Sequence, residues 1–247
     1  MRPDIACVVP ARLGSVRFPG KLLRPLLGKP VVVHALERAA EAECFSEIVC
    51  FTDSELIGEA VAAHGFRFVL TGPASNGTER IALNLEALHS DRVVDLQGDE
   101  PAFPPEGLRV LCAALAANPG WVHTLVHSEP PPVSDLADPN RVKARMDPKG
   151  FVLDFVRSAA GSGDYRLHLG AYAYSKEYLR RYAATPSSER ENALSHEMLR
   201  RLDLAPVRAH FSPPGASVDV PADLERAEAR LRAMRPAGLA SALQGDS

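Results

Sequence analysis

Between residues 5 and 96 the chain alternates short apolar runs with stretches of helical period, and this alternation restricts the fold more than any other feature. Ile5 to Val9, Glu47 to Phe51, Phe66 to Leu70 and Arg92 to Leu96 read as strands. Pro30 to Ala39, Glu55 to His64 and Arg80 to Leu88 read as helices between them. The first carries proline in its opening turn, and Gly65 stops the second. Strands separated by helices need crossover connections. The expectation is a parallel sheet with helices on both faces. The chain has 247 residues, 46% of them apolar, enough for one large α/β domain with an added lobe.

The second half changes character. Trp121 to Val126, Arg141 to Met146, Val152 to Val156 and Leu169 to Tyr174 read as strands with hairpin-like spacing, and Asp147-Pro148-Lys149-Gly150 as a turn. Helices are expected at Glu177 to Ala183, Asn192 to Leu202 and Ala222 to Met234, with a last strand at Val207 to Phe211. These elements extend the first sheet into a mixed one. The expected division is one domain over residues 1–235, a lobe within about 121–202, and a mobile tail at 236–247.

In such sheets ligands bind beyond the carboxyl ends of the strands. Four loops fall there: residues 12–21, Thr52-Asp53, residues 71–78 and Gln97-Gly98-Asp99. The first carries Arg12, Ser15, Arg17 and Lys21 among Gly14 and Gly20. Glycines let backbone approach phosphate oxygens, and amides and cations neutralise them. Taken alone, the loop is equally an ordinary surface loop with solvated cations. It has neither the P-loop spacing nor the Gly-x-Gly-x-x-Gly of dinucleotide binders. Asn76-Gly77-Thr78-Glu79-Arg80 stands at a helix entry, as a base-edge or phosphate contact or as a plain cap. Asp99, after an apolar strand, suits Mg²⁺ or an Asx-turn. Asp219, in Ser217-Val218-Asp219-Val220-Pro221, is a second candidate carboxylate. His168 is either a ligand group or a hydrogen-bonded core histidine.

Net charge is −3, from 28 basic and 31 acidic residues, so no basic field points to nucleic acid. Cys7, Cys44, Cys50 and Cys112 lie in or beside apolar runs without ligand spacing and read as buried free thiols of a cytoplasmic protein. No apolar run reaches membrane-spanning length.

The ordered set of motifs resembles the CMP-Kdo synthetases, the 3-deoxy-manno-octulosonate (Kdo) cytidylyltransferases. It comprises Val9-Pro10-Ala11-Arg12, Arg17-Phe18-Pro19-Gly20-Lys21, Gly28-Lys29-Pro30, Thr52-Asp53 and Asn76-Gly77-Thr78-Glu79-Arg80. It continues with Gln97-Gly98-Asp99-Glu100-Pro101, Asp138-Pro139-Asn140, Val142-Lys143, His168-Leu169-Gly170-Ala171-Tyr172 and Val218-Asp219-Val220-Pro221-Ala222-Asp223-Leu224. The resemblance covers residues 5 to about 230. It implies a three-layer, Rossmann-like sugar-nucleotidyltransferase fold with a mostly parallel mixed sheet, CTP as substrate, Mg²⁺ as cofactor, and a homodimer. By motif, Arg12, Ser15, Arg17 and Lys21 are expected on the triphosphate, and Asn76, Gly77, Thr78 and Arg80 around the cytidine. Arg12, Lys21, Asp99 and Asp219 are the expected catalytic set, with Asp99 and Asp219 as metal ligands. Gln97, Lys143, Arg157, His168, Tyr172 and Glu191 are expected at the acceptor.

The chain departs from the family pattern on the acceptor side. The family's Pro-Trp-x-Arg stretch is replaced by Ser158-Ala159-Ala160-Gly161-Ser162-Gly163-Asp164-Tyr165-Arg166-Leu167. Glu191 and Glu197 match the acceptor helix by register, but Leu194 stands where a third glutamate is expected. This pattern resembles relatives that attach CMP to small phosphonates. The expected acceptor is a compact acid such as phosphonoformate, with Kdo as the alternative, and a catalytically silent nucleotide-binding regulator as the rival from another class.

Overall fold

Alternate residues of the first strand face two different cores. Ile5, Cys7 and Val9 pack in one cluster, and Ala6 and Val8 in the other. A strand buried on both faces is the middle layer of three. The computed structural model describes residues 4–15, 17–159, 164–187, 191 and 198–234. Its strands are β1 (Ala6–Ala11), β2 (Pro25–Leu26), β3 (Lys29–Pro30), β4 (Glu47–Thr52), β5 (Arg67–Leu70), β6 (Arg92–Leu96), β7 (Val122–His127), β8 (Lys143–Met146), β9 (Val152–Val156), β10 (Tyr165–Ser175) and β11 (Val207–Ser212). The main sheet runs β11-β7-β10-β6-β1-β4-β5, with β8 and β9 attached beside β10. Helices Val31–Ala42, Pro105–Ala117 and Asp223–Met234 cover the first core, contributing Val32, Leu108, Leu111 and Leu231 among others. Helices Gly77–Ala82 and Lys176–Ala184 cover the second with Ile81, Leu179 and Tyr182.

The expected parallel sheet is present in β6-β1-β4-β5, and β11 and β7 are also parallel to each other. Within the main sheet β10 runs against its neighbours β6 and β7. Its N-terminal half therefore meets the carboxyl ends of the other strands, and every strand of the main sheet feeds one edge. The β10–β7 register shifts between Leu169 and Tyr172. Such a bulge re-aims neighbouring side chains, here beside His168.

Several expectations need correction. The hairpin spacing holds for β8 and β9, joined through Asp147, whose carboxylate accepts the Lys149 and Phe151 amides at 2.8 Å each. It fails for β7, which pairs with β10 and β11 instead of β8. The helix expected over Arg80 to Leu88 starts at Gly77 and ends at Ala82, with a separate 3₁₀ turn at Leu85–Ala87. The Asn84 side-chain NH₂ donates to the Arg80 carbonyl at 2.8 Å, which competes with helix propagation. Helix Pro105–Ala117 is an addition to the expected elements, although Leu108, Leu111, Cys112 and Leu115 give it a buried stripe. The helix expected from Asn192 is described as Met198–Leu204. Leu194, Glu197, part of the 158–167 interval and the tail lie outside the described residues.

Candidate active site

The carboxyl edge of the sheet opens into two adjoining cavities of about 650 and 530 Å³. Gln97, Asp99, Met198 and Asp219 line both and mark the junction. The first cavity is walled by the basic loop, by Asn76, Gly77 and Arg80, and by Arg157 and Glu191. The second is walled by Glu100, His127, Glu129, Asp135, Asp138, Arg141, His168 and Tyr172 among others.

Asp99 and Asp219 are far apart in the chain and meet for a backbone reason. The Val218 amide donates to the Asp99 carbonyl at 2.8 Å, which fixes the next residue beside Asp99. Asp223 clamps the same turn, its carboxylate accepting the Asp219 and Val220 amides at 2.8 and 3.0 Å. Both carboxylates then converge on Lys21, whose Nζ lies 2.5 Å from Asp99 Oδ2 and 3.2 Å from Asp219 Oδ1. Burial would lower the Lys21 pKa, but the two carboxylates outweigh it and hold it above the ordinary value. Arg17 also pairs with Asp219 at 2.9 Å and donates to Asn140 at 2.8 Å. Among the described residues the Arg12 guanidinium, in the first cavity wall, has no acceptor, so it is uncommitted.

Two carboxylates reaching one point fit Mg²⁺, which is held by one or two protein carboxylates with substrate phosphates and water completing its shell. Among the described residues no group of three or more His, Cys, Asp or Glu forms a fuller cage.

Glu100 sits behind this pair, 7% exposed, accepting the Gly170 amide at 3.2 Å. Burial, then the nearby Asp99 charge, push its carboxyl up to about 8. The unfolded chain releases that proton near 4.5. Between these values the folded state binds the extra proton, so stability falls as pH rises from about 5 to about 8 and then levels off. The slope is at most about 1.4 kcal/mol per pH unit. Glu100→Gln is expected to flatten this decline in ligand-free urea unfolding at pH 6 and pH 8. An equal decline in both proteins would contradict it.

Not every residue of the motifs faces the cavities. Arg12, Ser15, Arg17, Lys21, Asn76, Gly77 and Arg80 line the first one, as expected of a nucleotide wall. Asn76 also caps its helix, accepting the Glu79 amide at 2.8 Å, so the cap reading holds while the residue also lines the cavity. Arg80 is 2% exposed and pairs with Asp53 at 2.6 Å, which joins two of the edge loops. Thr78 is fully buried and lines neither cavity; its hydroxyl donates inward to Asp95 at 3.3 Å. Lys143 is also fully buried, donating to the Asp138 and Arg157 carbonyls at 2.6 and 2.7 Å. It ties two segments together and faces neither cavity. Glu191 lines the first cavity, not the second, and is held by Arg200 through two bonds of 2.7 Å. Arg157 also lines only the first, donating to the Pro139 carbonyl at 3.3 Å. Gly98 is small because a Cβ there would meet the Pro10 carbonyl at 3.1 Å.

Gln97, His168 and Tyr172 do line the second cavity. Thr124 donates to the Ala171 carbonyl at 2.8 Å, so its oxygen accepts from His168 Nε2, also at 2.8 Å. That places a proton on Nε2. His168 is thus both a core-anchored and a cavity-lining histidine. Sequence reading missed Asp95, Arg201 and Met198. Asp95 is a buried charge within the apolar run Val93-Val94-Asp95-Leu96, a pattern that itself signals a network, whereas Arg201 stands beside Arg200 and near Asp203 with no such local signal.

A mostly parallel sheet whose carboxyl edge gathers a basic loop and two converging carboxylates defines a nucleotidyltransferase of the α/β class. Comparison with known proteins narrows it: the chain belongs to the cytidylyltransferase family, whose pattern matches residues 6–210. It is 37% identical over 240 residues to a 3-deoxy-manno-octulosonate cytidylyltransferase of Anaeromyxobacter sp. (strain Fw109-5), covering 93% of this chain and 97% of the relative. It is 35% identical over 241 residues to an 8-amino-3,8-dideoxy-manno-octulosonate cytidylyltransferase of Shewanella baltica (strain OS155), covering 92% and 98%. A CMP:2-keto-3-deoxy-manno-octonic acid synthetase solved with CTP superposes with a TM-score of 0.84 at 32% identity, covering 93% and 98%. A glucose-1-phosphate thymidylyltransferase structure from Bacillus anthracis, with a TM-score of 0.70 at 16% identity, shares the fold. Among the described residues no helix is long and apolar enough to cross a membrane.

Proposed function

We propose that the enzyme transfers CMP from CTP to a 2-keto sugar acid of the 3-deoxy-octulosonate class, releasing pyrophosphate. The observation carrying the acceptor reading is the wall of the second cavity. Glu129, Asp135, Asp138 and Asp223 line it beside Asp99 and Asp219, against Arg141 and Arg226. Carboxylates accept from hydroxyl or ammonium groups and repel a dense anion. Lys143, expected at the acceptor, is committed to two carbonyls, and Arg166 nearby pairs with Asp164 at 2.9 Å. The names of the relatives point the same way.

In this reading CTP occupies the first cavity. An acceptor hydroxyl gives up its proton to water as its oxygen bonds the α-phosphorus in line, the bond to the bridging oxygen breaks, and pyrophosphate departs with the electron pair. Arg12 and Lys21 neutralise the phosphates, and Gln97 and His168 orient the acceptor. Asp99 and Asp219 would hold Mg²⁺, which when bound supplies positive charge to the transferring phosphoryl group. No protein nucleophile is required. Homodimerisation, the lobe within about 121–202 and a cytoplasmic setting belong to the same proposal.

A second reading, transfer to a compact phosphonate such as phosphonoformate, is favoured by the loss of the family's Trp and Arg after Arg157 and by apolar Met198 at the cavity junction. A phosphonate oxygen is already ionised and needs no base. The test compares kcat/KM for Kdo, its 8-amino-8-deoxy analogue and phosphonoformate with CTP and Mg²⁺. The sugar acids are expected to be turned over at least about 10-fold more efficiently, as a specificity of about 1.4 kcal/mol requires. Phosphonoformate turnover without CMP-Kdo formation would reverse the choice.

A further inference from the structure

Beneath the junction of the two cavities lies a buried polar chain whose hydrogen-bond directions are fixed from one end. Arg201, fully buried, stacks on the Tyr172 ring with its guanidinium carbon 3.9 Å from the centroid. It donates to the Thr78 hydroxyl. A guanidinium is a donor only, so Thr78 accepts from it and spends its own proton on Asp95 Oδ2, 3.3 Å away. Tyr174 donates to the same oxygen at 2.6 Å. Burial, and then the Asp95 charge, hold the Tyr174 phenol well above its ordinary pKa, which keeps it a donor. Asp95 is therefore an acceptor on that side. Its other oxygen, Oδ1, takes the Gln97 side-chain amide at 2.8 Å.

The orientation of Gln97 follows. Its NH₂ is turned inward to Asp95, and its carbonyl oxygen Oε1 is the polar atom left to the cavities that Gln97 lines. Among the described residues nothing donates to Oε1. Gly77 packs against the amide: a Cβ there would lie 3.2 Å from Nε2 and 3.3 Å from Oε1, so the glycine leaves the amide room.

We propose that Asp95 is a positioning residue that sets the polarity of Gln97, so that the carbonyl oxygen of Gln97 meets a hydrogen-bond donor, a hydroxyl, on the acceptor. This rests on the sugar-acid reading above. A phosphonate or carboxylate oxygen at the same place would face a carbonyl oxygen and be disfavoured. The device thus selects for a hydroxyl-bearing acceptor at the point where CMP is transferred.

Two substitutions reverse and then restore the polarity. In Asp95→Asn, the new side-chain oxygen must still accept from Tyr174 and Thr78. The new NH₂ then faces Gln97, which turns its own NH₂ to the cavity. The KM for Kdo is expected to rise about 10-fold while the Kd for CTP, by calorimetry, stays within about twofold. Gln97→Glu alone sets two carboxylates against each other and is expected to raise the KM for Kdo at least as far. In the double variant Asp95→Asn/Gln97→Glu, the introduced asparagine amide donates to the introduced carboxylate. The second carboxylate oxygen then faces the cavity as an acceptor, and the KM for Kdo is expected to return most of the way. An unchanged KM in Asp95→Asn, or a double variant no better than Gln97→Glu, would overturn the proposal. A second readout needs no acceptor: the Gln97 side-chain amide in ¹⁵N spectra, assigned by its loss in Gln97→Glu. Slow hydrogen exchange there in the unsubstituted protein, lost in Asp95→Asn, supports the positioning role even if Kdo proves not to be the substrate. Fast exchange in the unsubstituted protein overturns it.

Discussion

Replacing Asp99 or Asp219 by asparagine is expected to lower kcat by about 10²-fold or more while leaving the fold intact, because both sit at the carboxyl edge of the sheet and not in a core. Each carboxylate has two tasks. In the proposed reaction it would supply one of two charges for Mg²⁺, and it holds Lys21, which lies 2.5 and 3.2 Å from the pair. Asparagine keeps the volume and removes the charge, so the change isolates electrostatics from packing. The two effects are expected to be non-additive, since either loss leaves a single carboxylate at a site built for two. Steady-state kinetics with saturating CTP and acceptor gives kcat, and a thermal melt checks the fold. A variant with near-normal kcat would remove that carboxylate from the active site.

Lys21→Ala is expected to reduce kcat/KM for CTP by about 10²- to 10³-fold, more through nucleotide binding than through acceptor binding. Lys21 is the cation between two carboxylates, and its removal leaves Asp99 and Asp219 facing each other with only Arg17 on Asp219. The site then repels the triphosphate it has to receive. The exposed Arg17 does not compensate, because half its side chain is in water, where screening weakens the charge. Calorimetry with CTP separates the two substrates: CTP affinity falls sharply, and the acceptor KM moves little. Unchanged CTP affinity would mean that the opening loop does not hold phosphates.

The wall of the first cavity was legible in the sequence because its signals are local. The strand ending at Ala11, the loop after it and Gln97-Gly98-Asp99 are contiguous stretches whose place at a sheet edge follows from the alternation alone. Strand Val152–Val156 has the bounds its sequence pattern predicts for the same reason. What failed was side-chain direction. Thr78 and Lys143 belong to motifs that line the cleft, yet both turn inward. Motif membership places a backbone and does not say which face a residue presents. Arg201 was missed because its partner is remote in sequence: it reaches Thr78 across 123 positions. The reversed direction of β10, which brings His168 to the carboxyl edge, depends on a pairing with β6 and β7 that no local pattern encodes.

The central claim is CMP transfer from CTP at this edge, and the most direct measurement uses each nucleoside triphosphate labelled at the α-phosphate, with Kdo and phosphonoformate as acceptors. The expected result is α-label in the acceptor product and unlabelled pyrophosphate, with CTP preferred over ATP, GTP and UTP. Preference for a purine nucleotide, or label left only in free nucleotide with both acceptors, would contradict the account.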